Sequence, residues 1–118
     1  MFIFKDFTFD AAHLLPNVPT NHKCANLHGH TYRLRVVLEG VPDGELGWVI
    51  DFGEIKRNVK PLLDRLDHKY LNDIKGLENP TCELLAVWIW NQLKPRLHAL
   101  ARVELQETPT SGVIYDGK

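Results

Sequence analysis

Three histidines and one of the chain's two cysteines fall within "HKCANLHGH", residues 22–30. From His28 onward the sequence alternates as a strand does, with His28, His30, Tyr32, Leu34, Val36 and Leu38 on one face and Arg33, Arg35 and Glu39 on the other. Side chains two apart on a strand leave the same face roughly 7 Å from each other. Two imidazoles so placed can converge on one ion. His13 closes an earlier alternating stretch in which Ile3, Phe7, Phe9, Ala11 and His13 share a side, with Lys5 the exception. A hairpin-like pairing of the two stretches would bring His13 alongside. Three neutral imidazoles leave Zn²⁺ an open fourth position, which is how catalytic rather than structural sites are built. The alternative is that each histidine is an ordinary hydrogen-bonded residue at a strand end.

Cys24 admits three roles: fourth ligand of a closed structural site, small buried hydrophobe, or activated thiol acting as base or nucleophile. Glu107 sits on the apolar face of its strand, where a carboxylate is costly unless paired. A ligand with adjacent ring N–H groups would satisfy it, as would an arginine, or the strand has emerged into solvent. Asp67 and His68, in "LDHKY", lie just beyond a helical stretch. Neighbours do not face each other on a helix, so their pairing requires the chain to leave it. Cys82, in the first turn of a helix, reads as packing, and His22 and His98 as surface.

The elements that must position these groups follow from periodicity. Strands are expected over Phe2–His13 and from His28, with a turn at "GVPDGELG" and a short extended "WVI". "DFGE" resembles a capping box at Asp51, behind which Phe52, Ile55, Val59, Leu62, Leu63 and Leu66 recur at helical spacing. Pro61 predicts a kink or an early end. Asn79 and Pro80 read as N-cap and first residue of a second helix reaching about Lys94. Ala101, Val103, Leu105 and Glu107 then share a strand face, opposite Arg102, Glu104 and Gln106, and "VIY" opens a last short strand. The expected order, ββααββ, is α+β: a four-stranded antiparallel sheet with two helices on one face, one domain over residues 1–118.

Composition narrows the function classes. A net charge of −1 gives no global attraction to nucleic acid or membrane, although an anionic small substrate needs only a local Lys or Arg. No signal peptide or membrane span is visible, and two cysteines are too few for a disulfide scaffold; a reducing cytoplasm is expected.

Five separated motifs in order, "FTFDAAH", "CANLHGH", "WVIDFGEIK", "LDHKYLND" and "NPTCELLA", with "ET" at Glu107, resemble the 6-pyruvoyl-tetrahydropterin synthase family over nearly the whole chain. The Cys-x-x-x-His-Gly-His spacing looks like its bacterial branch, the 6-carboxytetrahydropterin synthases of the queuosine pathway. Animal members have a longer gap, and a folate-linked subgroup has a glutamate that Ala25, Asn26 and Leu27 do not offer. Pro109 after "ET" is a departure. The resemblance implies a zinc held by His13, His28 and His30, with Cys24 as proton acceptor and Asp67 and His68 as its relay. It implies Glu107 as pterin anchor and Thr81 as a further pterin contact. The implied substrate is 7,8-dihydroneopterin triphosphate, and the implied assembly is a tunnelling-fold homo-oligomer, commonly a dimer of trimers, with sites between subunits. An enzyme stopping at the 6-pyruvoyl product would share every one of these residues. A closed zinc site of Cys24 and the three histidines would be a non-enzymatic alternative.

Overall fold

The computed structural model describes residues 1–118. Strands β1 (Phe2–His13) and β2 (His28–Glu39) pair antiparallel along their whole length. Helix α1 (Phe52–Leu66) follows, then a two-residue strand β3 (Lys69–Tyr70), helix α2 (Cys82–Leu93), and strands β4 (Leu100–Thr108) and β5 (Ser111–Tyr115). The sheet order is β3-β1-β2-β4-β5. The expected α+β architecture holds, but with a fifth strand, and β3 runs parallel to β1. Two residues are too few to show a periodicity, so β3 left no trace in the sequence pattern.

Alternation puts Phe9 and Ala11 of β1, Tyr32, Leu34, Val36 and Leu38 of β2, and Val103 and Leu105 of β4 on the face that the helices cover. Ile55, Val59, Leu62 and Leu66 of α1 and Leu85, Ile89 and Leu93 of α2 close the core from above. Each full burial of such a side chain contributes about 1.5–3 kcal/mol. The opposite face carries no helix; there Arg35 forks onto Asp6 at 2.8 and 3.0 Å.

Four local expectations are corrected. Pro61 does not end α1, which continues to Leu66; the proline is exposed and leaves the Arg57 carbonyl without its helical N–H donor. Helix α2 begins at Cys82, not Pro80, because Thr81 has an extended backbone and its hydroxyl accepts from the Leu84 N–H at 3.2 Å. "WVI" forms no strand; the Trp48 carbonyl instead closes the preceding turn by accepting from Asp43 N–H at 2.8 Å. On β4 a bulge opposite Val37 and Leu38 makes Ala101 the extra residue, and Leu100 takes the core position. Asp51 caps α1 as expected, although its carboxylate reaches Gly53 N–H rather than Glu54.

Candidate active site

The β1–β2 register sets His13 directly opposite His28, and Ala11 opposite His30. All three imidazoles therefore emerge at one end of the helix-covered face. Their ligand nitrogens lie within 4.8 Å of one another. His13 is buried and the other two are half-buried.

The second nitrogen of each ring decides what the first can do. His13 Nδ1 lies 2.9 Å from the Pro80 carbonyl, and His28 Nδ1 lies 2.7 Å from the Asn26 carbonyl. A carbonyl only accepts, so both Nδ1 atoms carry the proton and both Nε2 atoms are bare. Those bare nitrogens face each other at 3.0 Å, and Glu107 Oε1 lies 3.5 Å from His13 Nε2 and 3.6 Å from His30 Nε2. Two facing lone pairs beside a carboxylate have no proton to share between them. A metal cation fits that donor set, and carbonyl-anchored imidazoles are its usual support. Burial pushes His13 below the ordinary imidazole range, partly offset by the Pro80 carbonyl. His30 is lowered for the same first reason, with Glu107 opposing. Both rings are thus held neutral, as ligands must be, and their approaches to Glu107 are not ion pairs.

Glu107 is the expected inward carboxylate: it extends the Val103–Leu105 face and is about three-quarters buried, with its side chain 27% exposed. No arginine meets it; the histidines do. Cys82 lies near it in the core, its thiol pushed up to about 12 by burial first and then by the Glu107 charge, and its S–H donates to the Leu105 carbonyl at 3.5 Å. That is packing, as the sequence suggested.

Cys24 lies in a short 3₁₀ turn, Lys23–Ala25, outside the three-imidazole cluster. Its carbonyl accepts from Leu15 N–H at 2.8 Å, and its N–H donates to His22 Nδ1 at 3.0 Å. His22, read from sequence as surface, therefore helps to fix the cysteine. Only its position two residues before Cys24 could have hinted at this.

Asp67 and His68 do leave the helix. Asp67 is extended, and His68 has φ +59°, the left-handed conformation that few residues other than glycine adopt. This reversal lets Asp67 Oδ1 meet His68 Nδ1 at 3.1 Å. Asp10 clasps the corner through its backbone, its N–H donating to Asp67 Oδ1 at 2.9 Å and its carbonyl accepting from His68 N–H at 2.6 Å. The pair thus sits at the β3 side of β1, whereas β2, on the other side, carries His28 and His30. Within one chain the two groups form separate clusters. Thr81 caps α2 one residue from the carbonyl that holds His13.

The fold, an α+β sheet with two helices on one face, is shared with the solved Caenorhabditis elegans 6-pyruvoyl tetrahydropterin synthase. The two superpose with a TM-score of 0.92 at 29% identity, over 100% of this chain and 96% of that one. The family model "6-pyruvoyl tetrahydropterin synthase" matches residues 2–118, and the chain belongs to that family. The 6-carboxy-5,6,7,8-tetrahydropterin synthase of a Synechocystis strain is 43% identical over 122 residues, covering 96% of this chain and 91% of the relative. The 6-pyruvoyl tetrahydrobiopterin synthase of Dictyostelium discoideum is 39% identical over 101 residues, covering 81% and 75%. No helix is long and apolar enough to cross a membrane.

Proposed function

We propose that the chain is a zinc-dependent lyase. In this reading it converts 7,8-dihydroneopterin triphosphate and one water to 6-carboxy-5,6,7,8-tetrahydropterin, acetaldehyde and triphosphate, in queuosine biosynthesis. The observation that carries this reading is the convergence of three imidazoles and Glu107 in one corner, in a chain 43% identical to the Synechocystis relative of that name.

His13, His28 and His30 would hold the zinc, which when bound supplies a Lewis acid able to lower the pKa of the substrate's side-chain hydroxyls. Cys24, as thiolate, takes a proton from a side-chain carbon. His68 passes the proton on through Nε2, because its Nδ1 is turned to Asp67. Asp67 in turn is held by Asp10, so the imidazole has one orientation. Glu107 accepts from the pterin's adjacent ring N–H groups and sets which carbon faces the base. Thr81 uses a lone pair of its hydroxyl in the helix cap, which leaves the O–H free to donate to the ring. The separation of the Asp67–His68 pair from the imidazole corner within one chain supports a site completed between subunits. The position of Cys24 outside the imidazole cluster argues against a closed four-ligand structural zinc.

Mass spectrometry of the zinc-loaded protein incubated with 7,8-dihydroneopterin triphosphate tests the proposal. The expected result is the 6-carboxy product with one acetaldehyde per turnover. A 6-pyruvoyl product would replace the reaction with that named for the Dictyostelium relative, and an unconsumed substrate would overturn the enzymatic reading.

A further inference from the structure

The helix-free face of the sheet holds a hollow of about 500 Å³ lined, apart from Gly29 and Pro109, by polar and charged side chains, and it opens onto His30 and Glu107. Its floor is ordered by register. Thr8 of β1 pairs directly with Arg33 of β2, and Arg33 pairs directly with Gln106 of β4. Adjacent strands are about 4.8 Å apart, so the three side chains form a straight row roughly 10 Å wide. They offer, in order, a hydroxyl, a guanidinium and an amide, and each can donate a hydrogen bond.

Two other arginines of this face are paired. Arg35 is taken by Asp6, and Arg102 by Glu104 at 2.7 Å. Arg33 is exposed and has no ion pair. Asp10 accepts the Thr31 hydroxyl and has no cationic partner. It flanks the row on the side of His30, where it repels an anion, so an anionic group settles over Thr8 and Arg33 rather than beside the imidazoles.

We propose that the row Thr8–Arg33–Gln106 is the subsite for the triphosphate tail of the substrate. This rests on the functional reading above, which gives partners to the pterin ring and the side-chain hydroxyls but none to the most highly charged part of the molecule. The hollow joins the row to the corner that holds the rest. A planar guanidinium matches two phosphoryl oxygens at once, which an ammonium does not. The flanking hydroxyl and amide, one strand away on either side, reach neighbouring phosphoryl groups of the same chain. Arg33 is here a binding residue, and the tail it holds is also the leaving group.

Calorimetry on the zinc-loaded protein with three ligands decides the matter: inorganic triphosphate, 7,8-dihydroneopterin without phosphate, and an unreactive triphosphate analogue of the substrate. Arg33→Gln should weaken both triphosphate ligands by roughly tenfold or more, the scale of a charge-assisted hydrogen bond. It should leave dihydroneopterin binding and zinc content as in the wild type. Arg33→Lys should recover part of the loss. Gln106→Glu, which sets a carboxylate directly across from an untouched Arg33, should weaken the same two ligands. Unchanged triphosphate affinity in Arg33→Gln, or an equal loss for dihydroneopterin, would overturn the subsite. If the wild type binds no dihydroneopterin while triphosphate binding still depends on Arg33, the pterin reading fails and the anion row stands.

Discussion

At the imidazole corner the useful nitrogen of His13 and of His28 is chosen by what the other nitrogen touches, and those partners are the backbone carbonyls of Pro80 and Asn26. Side chains proposed to act on substrate can then be separated from those that build the corner. Cys24 is held by its backbone to Leu15 and His22 and is no part of the imidazole cluster. Cys24→Ala should therefore keep its zinc by elemental analysis and lose turnover by at least ~10²-fold, the usual scale of a positioned base. A zinc-loaded variant with near-normal rates would remove the cysteine from the chemistry. Glu107 meets no cation of the protein, only imidazoles at 3.5 and 3.6 Å, and in the proposed reaction the pterin ring supplies its donors. Glu107→Gln puts an amide donor against ring donors. The expected loss in affinity for an unreactive pterin is about 2–5 kcal/mol, the scale of a broken buried polar pair, with zinc content unchanged. Equal affinity in mutant and wild type would place the anchor elsewhere.

At the end of α1 the chain takes a left-handed turn at His68. A non-glycine residue at φ +59° costs about 1 kcal/mol or more, and the Asp67–His68 contact, with the imidazole largely exposed, returns little of it. His68→Gly should thus leave the unfolding free energy from urea titration equal or raise it, by up to about 1 kcal/mol, while turnover falls. A clearly destabilised variant would mean that the imidazole holds the corner rather than serving the reaction. Asp67 lies below the ordinary carboxylate range, first because Asp10 N–H donates to it and then because of His68. A depressed folded-state value means that the carboxylate's stabilising contribution is present in full above the unfolded value near 3.9 and is lost as pH falls through the lower folded value. The stability gap between wild type and Asp67→Asn should accordingly stay constant from pH 5 to 7 and close in more acid solution. A gap that closes near neutrality would contradict the clasp.

The chain as a whole is elongated, 58 × 23 × 23 Å, with a radius of gyration of 15.4 Å, where about 13.5 Å is expected of a compact domain this long. The long β1–β2 ladder stretches it. Phe2, Phe4 and Ile114 on the helix-free face, and Val41, Leu46 and Trp48 in the turn, are exposed apolar groups, and the β5 edge is unpaired. These features suit assembly with copies of itself. If each site takes its imidazole corner from one subunit and its Asp67–His68 relay from another, two inactive variants should rescue each other. Cys24→Ala and His68→Gly, dissociated together and reassembled, should regain part of the activity that neither shows alone. Persistent inactivity in mixed oligomers confirmed by mass spectrometry would place the whole site in one subunit.

Face and residue type were legible from local pattern alone. Alternation put His13, His28, His30 and Glu107 on the side shared with the core residues, because strand period is local and survives without knowledge of partners. The Asp51 cap and the apolar stripe of α1 were legible for the same reason, and the ordered motifs pointed to the family. Only the tertiary structure decided which atoms face which. The carbonyl that frees His13 Nε2 belongs to Pro80, 67 residues along the chain, and nothing local in either segment encodes that meeting. The same holds for the left-handed turn at His68, stabilised by Asp10 across to β1, and for the bulge that demotes Ala101. The row of Thr8, Arg33 and Gln106 exists only once three distant strands have taken a register. Periodicity says which way a side chain points; packing of the whole core fixes the register that gives it neighbours.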